Sequence, residues 1–327
     1  MKFSFNHDQQ QFAAGLREML EREFTAAHLR GVWESGTGHD PAVWARLADM
    51  GVLSMMLPES DGGMGGDFVD TVLLVEELGR AAVPGPVFET MTVGALALRG
   101  TTWASGVADG SVAVTAALMG ERYVPHTDVA ALVLLADHQS VRALETAQLQ
   151  TESVEGIDHG RRLATLSGTD SGGHFLAVDL NEVIDAGALA SAAYLLGLSS
   201  RMLAIAGDYA RDRRQFGQPI GSFQAVKHLM ADALLKVEFA RPAVYRAAWS
   251  HATGADTRSR DVSMAKALAS EAAQKAARSA LQVHGAIGYT WECDLQLFMK
   301  KAWALMPAWG NASLHRRRVS DAVLGQR

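Results

Sequence analysis

Cysteine is almost absent from these 327 residues, Cys293 being the only one. A lone thiol cannot close an intrachain disulfide or build a multi-cysteine metal site, and this usage points to a reducing compartment. Basic excess is lacking too. The chain has 30 Lys and Arg against 36 Asp and Glu, a formal net charge of −6, and no domain or stripe carries the positive footprint a nucleic acid demands. The densest basic cluster, Arg316 to Arg318, is short and reads as a solvated helix end. The longest uninterrupted apolar run, Val129 to Ala136, falls far short of the ~20 residues of a membrane span. Met1 to Gln11 lacks the charged, apolar and small-residue order of a secretory signal. Gly-x-Ser-x-Gly, His-Glu-x-x-His and Cys-x-x-Cys are all missing, which removes the common hydrolase and metal readings. The expectation is a cytoplasmic protein without a metal that engages neither nucleic acid nor membrane.

What is present has the balance of a globular chain, 48% apolar and 20% charged. Three regimes follow one another. Residues 1–100 read as a helical domain: Phe12, Leu16 and Leu20, then Val43, Leu47 and Met50, then Val72, Val75 and Leu78 recur at helical spacing. Asp40 before Pro41 predicts a helix start, since the carboxylate caps free amides and proline at the first position loses no bonded N–H. Pro58 to Gly66, with four glycines, reads as a loop; it lacks the Lys-Ser/Thr of a phosphate loop. Residues 101–180 carry short apolar stretches between polar breaks and read as a small β domain. Residues 181–327 are helical again. Val226 to Ala248 and Val262 to Val283 are long stripes with small residues, separated by a break at Ala252 to Asp256, and predict an antiparallel bundle of about four helices. The fold class is therefore mainly α with a small β domain.

The most informative stretch runs Tyr209-Ala-Arg-Asp-Arg-Arg-Gln-Phe-Gly-Gln-Pro-Ile-Gly-Ser-Phe-Gln224. A helix ending in arginines, a Phe216-Gly217 turn and a restart near Ser222 would put cationic forks beside free amides, a diphosphate clamp. The same arginines could instead only complement the helix dipole.

These residues resemble the acyl-CoA dehydrogenase family. The likeness is carried by Arg213-Arg-Gln-Phe-Gly-Gln-Pro-Ile220 with Phe223-Gln224, by Gln282-Val-His-Gly-Ala-Ile-Gly-Tyr289, by Pro58 to Gly66, and by Val75-Glu-Glu-Leu-Gly79. Trp291-Glu-Cys-Asp-Leu is similar to a variant of the actinobacterial steroid-degrading branch. The resemblance implies a helical N-terminal domain, a middle β domain and a four-helix bundle that builds the oligomer. It implies FAD whose adenosine diphosphate half crosses a subunit interface, with Arg213, Gln215, Phe216, Gln224, Gln282, Gly285 and Ala286 as the neighbour-side clamp. It implies dehydrogenation of an acyl-CoA to a 2-enoyl-CoA, a glutamate taking the α proton while the flavin takes the β hydride, and an acceptor such as an electron-transfer flavoprotein.

The departures from the family pattern are specific. The late base position holds Trp309, and an indole cannot accept a proton. The alternative base position falls at Gly187, which has no side chain. Asp185 nearby reads as a helix cap rather than a substitute base. The usual flavin-ring segments of the β domain are not found; the nearest candidate, Ser167 to Gly173, reads as a turn-rich connection. The chain is thus expected to be the non-catalytic subunit of a heteromeric (α2β2) acyl-CoA dehydrogenase. A base-bearing homologue would share the FAD and meet the acyl-CoA, with a steroid side-chain thioester as the candidate substrate. Two alternatives stay open: an autonomous homotetrameric enzyme using Asp185 or Glu182, and a non-enzymatic assembly scaffold. His284 is expected to be structural or diphosphate-facing, Trp309 to pack, and the Glu76-Glu77 pair to lie on a solvated face, since adjacent helical positions point apart.

Overall fold

The computed structural model describes residues 4–118, 121–137, 140–169 and 172–325. Helices α1 (His7–Glu23), α2 (Ala26–Ser35), α3 (Pro41–Asp49) and α4 (Phe68–Ala81) start where short polar side chains take up free amides. Asn6 and Gln9 form a capping box on α1, Thr25 caps α2, Asp67 and Asp70 form a box on α4, and Asp40 bonds Ala42 N and Val43 N ahead of Pro41. A π-helical turn (Glu89–Gly94) and two short helices, α5 (Ala95–Ala97) and α6 (Ala104–Ala108), lead into the strands.

Among the described residues seven strands follow: β1 (Val114–Leu118), β2 (Val124–Pro125), β3 (Leu132–Ala136), β4 (Val141–Glu145), β5 (Gln150–Val154), β6 (Leu163–Ser167) and β7 (His174–Leu176). They form two sheets, ordered β1-β3-β4-β7 and β2-β6-β5. Among the described residues only β1 and β3 pair in parallel, in register from Val114 with Leu132 to Leu118 with Ala136. Ala117, Val124 and Val133 make a small core between the sheets, separate from the main one. In the Ser167 to Gly173 connection, Gly168, Gly172 and Gly173 have φ of 85°, 92° and 82°, as sharp turns require; Asp170 and Ser171 lie outside the described residues.

The rest is helical: α7 (Leu180–Asp212), a two-stranded hairpin of β8 (Arg214–Gln215) and β9 (Gln218–Pro219), α8 (Gln224–Ala252), α9 (Arg258–His284), α10 (Leu295–Leu305) and α11 (Ala312–Leu324). Helices α7, α8 and α9 pack against one another, α10 lies on α7 and α11 on α9. Alanines fill the seams, among them Ala265, Ala269, Ala272 and Ala276, each fully buried, because small side chains let helix backbones approach. The closest approach joins α4 to α7. A methyl on Gly79 would land closer than 3.0 Å to the Tyr194 carbonyl, and one on Gly197 likewise to the Glu76 carbonyl. Among the described residues, α7 alone is long and apolar enough to cross a membrane, but 78% of its most apolar window is buried inside the fold. Its serines hide it from a count of uninterrupted apolar runs.

Candidate functional site: a half-clamp and a closed base position

The clamp residues gather at one end of the bundle. The main chain reverses at Phe216 (φ 52°) and Gly217 (φ 79°), the left-handed pair of a tight hairpin turn, and Phe216 at its tip is 92% exposed. Arg213, Gln215 and Gln224 are exposed around it. Helix α8 begins there at Gln224 with no side chain capping its first amides; the Phe223 carbonyl takes up Val226 N and Lys227 N, which leaves the amides of Gln224 and Ala225 to meet an anion. The second half of the clamp lies at the end of α9. The His284 ring stacks on Tyr209 in the last turns of α7, centroids 4.3 Å apart, and this joins the two helix ends. His284 is buried, its Nδ1 2.8 Å from the Ala280 carbonyl, and burial holds it below the usual histidine range. It is structural. Gln282, Gly285 and Ala286 next to it are exposed, and nothing lies within 4 Å of where a Cβ on Gly285 or Gly217 would stand. Guanidinium, amides, free helix N–H groups and open backbone suit the diphosphate of FAD.

The two places where a base was sought turn out to be one place. Gly187 on α7 faces the indole of Trp309 so closely that a methyl there would fall within 3.0 Å of Cδ2, Cε3 and Cε2. Trp309 is 6% exposed. Its main chain is left-handed, φ 58°, and its carbonyl lies 2.9 Å from His315 Nε2, whose Nδ1 is 3.1 Å from Ser263 Oγ. The indole therefore fills the space above Gly187 and is fixed there, and neither residue offers a proton acceptor.

Three local expectations need correcting. Asp185 is not a cap: Asp179 caps α7 by accepting from Glu182 N at 2.8 Å. Asp185 lies fully buried two turns on, where Arg318 Nη2 at 3.0 Å, Arg258 Nε at 3.3 Å and Ser259 Oγ hold its carboxylate. Arg318 is accordingly no solvated helix end, and Arg316 pairs with Glu271. Glu76 and Glu77 are also buried, at 8% and 6% exposure, rather than on a solvated face. They do point apart, Glu77 to Arg17 and Glu76 to Arg241 and Tyr245, so each is neutralised separately. Among the described residues, no three His, Cys, Asp or Glu side chains come together as a metal site.

A capped helical layer, a small double-sheet insert and a long-helix bundle with exposed arginine, amide and glycine positions at one end make up the scaffold. The family models "Acyl-CoA dehydrogenase, N-terminal domain" and "Acyl-CoA dehydrogenase, C-terminal domain" match residues 6–103 and 178–324. Acyl-CoA dehydrogenase IpdE2 of Mycolicibacterium smegmatis is 34% identical over 93% of this chain and 95% of its own length. The chain belongs to the acyl-CoA dehydrogenase family, whose members are FAD flavoproteins. IpdE2 of Mycobacterium tuberculosis is 33% identical over 90% of the chain and 91% of that relative. The Tcur3481-Tcur3483 steroid ACAD variant superposes with a TM-score of 0.88 at 25% identity, covering 97% of this chain and 98% of that one. The ChsE4-ChsE5 complex from Mycobacterium tuberculosis gives 0.88 at 23% identity over the whole of both chains, a likeness of fold.

Proposed function

We propose that this chain is the non-catalytic subunit of a heteromeric acyl-CoA dehydrogenase, in which a homologous partner brings the glutamate and the flavin-ring pocket. The Gly187–Trp309 contact carries the reading: with no acceptor on either residue and the space filled, α-proton abstraction belongs to another subunit. The exposed half-clamp agrees. Arg213, Gln215, Phe216, Gln224, Gln282, Gly285 and Ala286 would hold the adenosine diphosphate half of an FAD whose ring lies in the partner, and FAD would supply the hydride acceptor there. The apolar outer face of the bundle, with Leu234, Leu235, Phe239, Met264 and Leu268 between 36% and 72% exposed, suits burial against that partner. An α2β2 assembly with residues 1–100, 101–180 and 181–327 as domains fits this division of labour. Electrons would leave to an acceptor such as an electron-transfer flavoprotein. One of the solved structures named above is a steroid ACAD, which favours a steroid-derived CoA thioester, such as one of the side chain, as the substrate.

The test is flavin per polypeptide and mass in solution, measured for the chain alone and after co-expression with a base-bearing homologue. One flavin per two chains, only with the partner, supports the reading; Arg213→Ala should then lower flavin affinity roughly 10- to 100-fold, as loss of a charge-assisted contact would. One flavin per chain from this protein alone would overturn it.

A further inference from the structure

The close approach of α4 to α7 brings two arginines to one place. A Cβ on Gly197 would stand closer than 3.0 Å to Arg80 N, so Arg80 sits at the contact itself. Arg201, four residues past Gly197, lies on the same face of α7 one turn on. Both side chains are half-buried, and neither makes a hydrogen bond or an ion pair among the described residues. The Arg201 guanidinium lies over the ring of Phe298 on α10, 5.7 Å from its centroid, and Phe298 is buried. Stacking occupies the face of the cation and leaves its in-plane N–H donors open.

Arg80 and Arg201 line one cleft of about 130 Å³, walled by Leu20, Phe24 and Phe298. Its third arginine, Arg17, is already paired: Nε donates to Glu77 Oε2 at 2.8 Å and Nη2 to Oε1. Glu76 is likewise taken by Arg241 and Tyr245. The carboxylate left on the cleft is Glu21, exposed at the rim, which bears on Arg17 and Arg201 without bonding to either. Asp208 and Asp294, the other acids near Arg201, are engaged by Arg211 and by Arg30 at 2.6 Å. Burial, and then Arg80, draw the Arg201 guanidinium below its usual range. A cation in the last turn of α4 would complement the helix dipole, but that role asks nothing of Arg201 in the middle of α7. Two guanidiniums half out of water, with each other as neighbours, are costly until an anion joins them.

We propose that this cleft is a binding site for a phosphate group, held between the guanidinium forks of Arg80 and Arg201. Planar N–H forks match the oxygens of a phosphate. Two of them on one small group call for close to two negative charges, which a phosphate carries near neutral pH and a carboxylate does not. The volume equals roughly four waters at ~30 Å³ each, enough for a phosphate group with a water and too little for a nucleoside. The ligand is therefore free phosphate, or the phosphoryl end of a molecule whose remainder stays outside. This site is separate from the half-clamp, since Arg201 stands twelve residues before Arg213, about 18 Å along the helix at 1.5 Å per residue.

The experiment is calorimetric titration of the full chain with inorganic phosphate, glycerol 3-phosphate and acetate, near neutral pH and at constant ionic strength. It is run on the wild type, Arg80→Gln, Arg201→Met and Glu21→Gln, each with and without Arg213→Ala, so that phosphate taken up by the clamp is told apart. Saturable phosphate binding that survives Arg213→Ala should weaken at least about tenfold in Arg80→Gln and in Arg201→Met, as loss of a charge-assisted contact would. Glu21→Gln should tighten it, because a like charge leaves the rim. Glycerol 3-phosphate binding as well as phosphate identifies a phosphoryl end as the ligand, and phosphate binding alone identifies the free ion; either supports the site. Arg80→Gln keeps the test open if Arg201→Met does not fold. The proposal is overturned by the absence of saturable phosphate binding, by acetate binding equally well, or by arginine variants that shift unfolding and leave phosphate affinity unchanged.

Discussion

Placing a methyl on Gly187 is the sharpest probe of the closed base position. The new Cβ would lie closer than 3.0 Å to three indole atoms of Trp309, whereas carbon atoms rest at ~3.5–4.0 Å. The ring has little room to retreat, since it is 6% exposed and its carbonyl is held by His315 at 2.9 Å. Overpacking of this kind costs about 1–3 kcal/mol, while replacing glycine by alanine in a helix returns roughly 1 kcal/mol. With a rigid neighbour the cost prevails, and Gly187→Ala should lower stability by about 1–2 kcal/mol. Trp309→Ala should cost about 3–5 kcal/mol through the void it leaves. In the double variant the methyl grows into that void, so the pair should cost less than the sum of the singles by at least ~1 kcal/mol. Urea unfolding followed by far-ultraviolet circular dichroism gives all four corners of the cycle. Additivity within about 0.5 kcal/mol would mean that the indole does not rest on Gly187, and the case for a filled base position would fall with it.

Asp185→Ala should destabilise by about 3–5 kcal/mol, because Arg258 and Arg318 would be left near a vacated carboxylate site. Turnover per bound flavin in any complex should not change; a collapse of turnover with stability intact would identify Asp185 as the base. Burial draws His315 down to about 4. Stability tied to it should be intact above pH 6.5 and lost as pH falls towards 4, by up to ~3 kcal/mol, and His315→Gln should flatten that limb of a stability–pH curve.

Helices α1, α3, α4, α8 and α9 were legible from their apolar stripes, and for α3 the cap agrees with the stripe, Asp40 standing ahead of Pro41. The residues proposed to hold the FAD diphosphate could be picked out because they fall in two short runs, 213–224 and 282–286. What escaped depends on partners far away in sequence. Periodicity sees that Glu76 and Glu77 diverge but not that Arg241 and Arg17 wait 165 and 60 residues away. Asp185 resembled a cap because α7 begins near it, yet the cap is an equally suitable aspartate six residues earlier. Lys266 looks like an ordinary surface residue in the sequence, yet it is fully buried and donates to the Leu305 and Met306 carbonyls at the end of α10. The parallel pairing of β1 with β3 also has no local signature, since it is set by the connection that passes through the second sheet.

The contact between Gly187 and Trp309 works as an evolutionary ratchet. A lineage that tried to regain a side chain at 187 would first meet the indole, and one that gave up the indole would first carry a cavity. Each single step passes through a less stable protein, and only a paired change avoids both. On the proposed division of labour, dependence on a second subunit would then be held in place by packing as well as by the missing carboxylate.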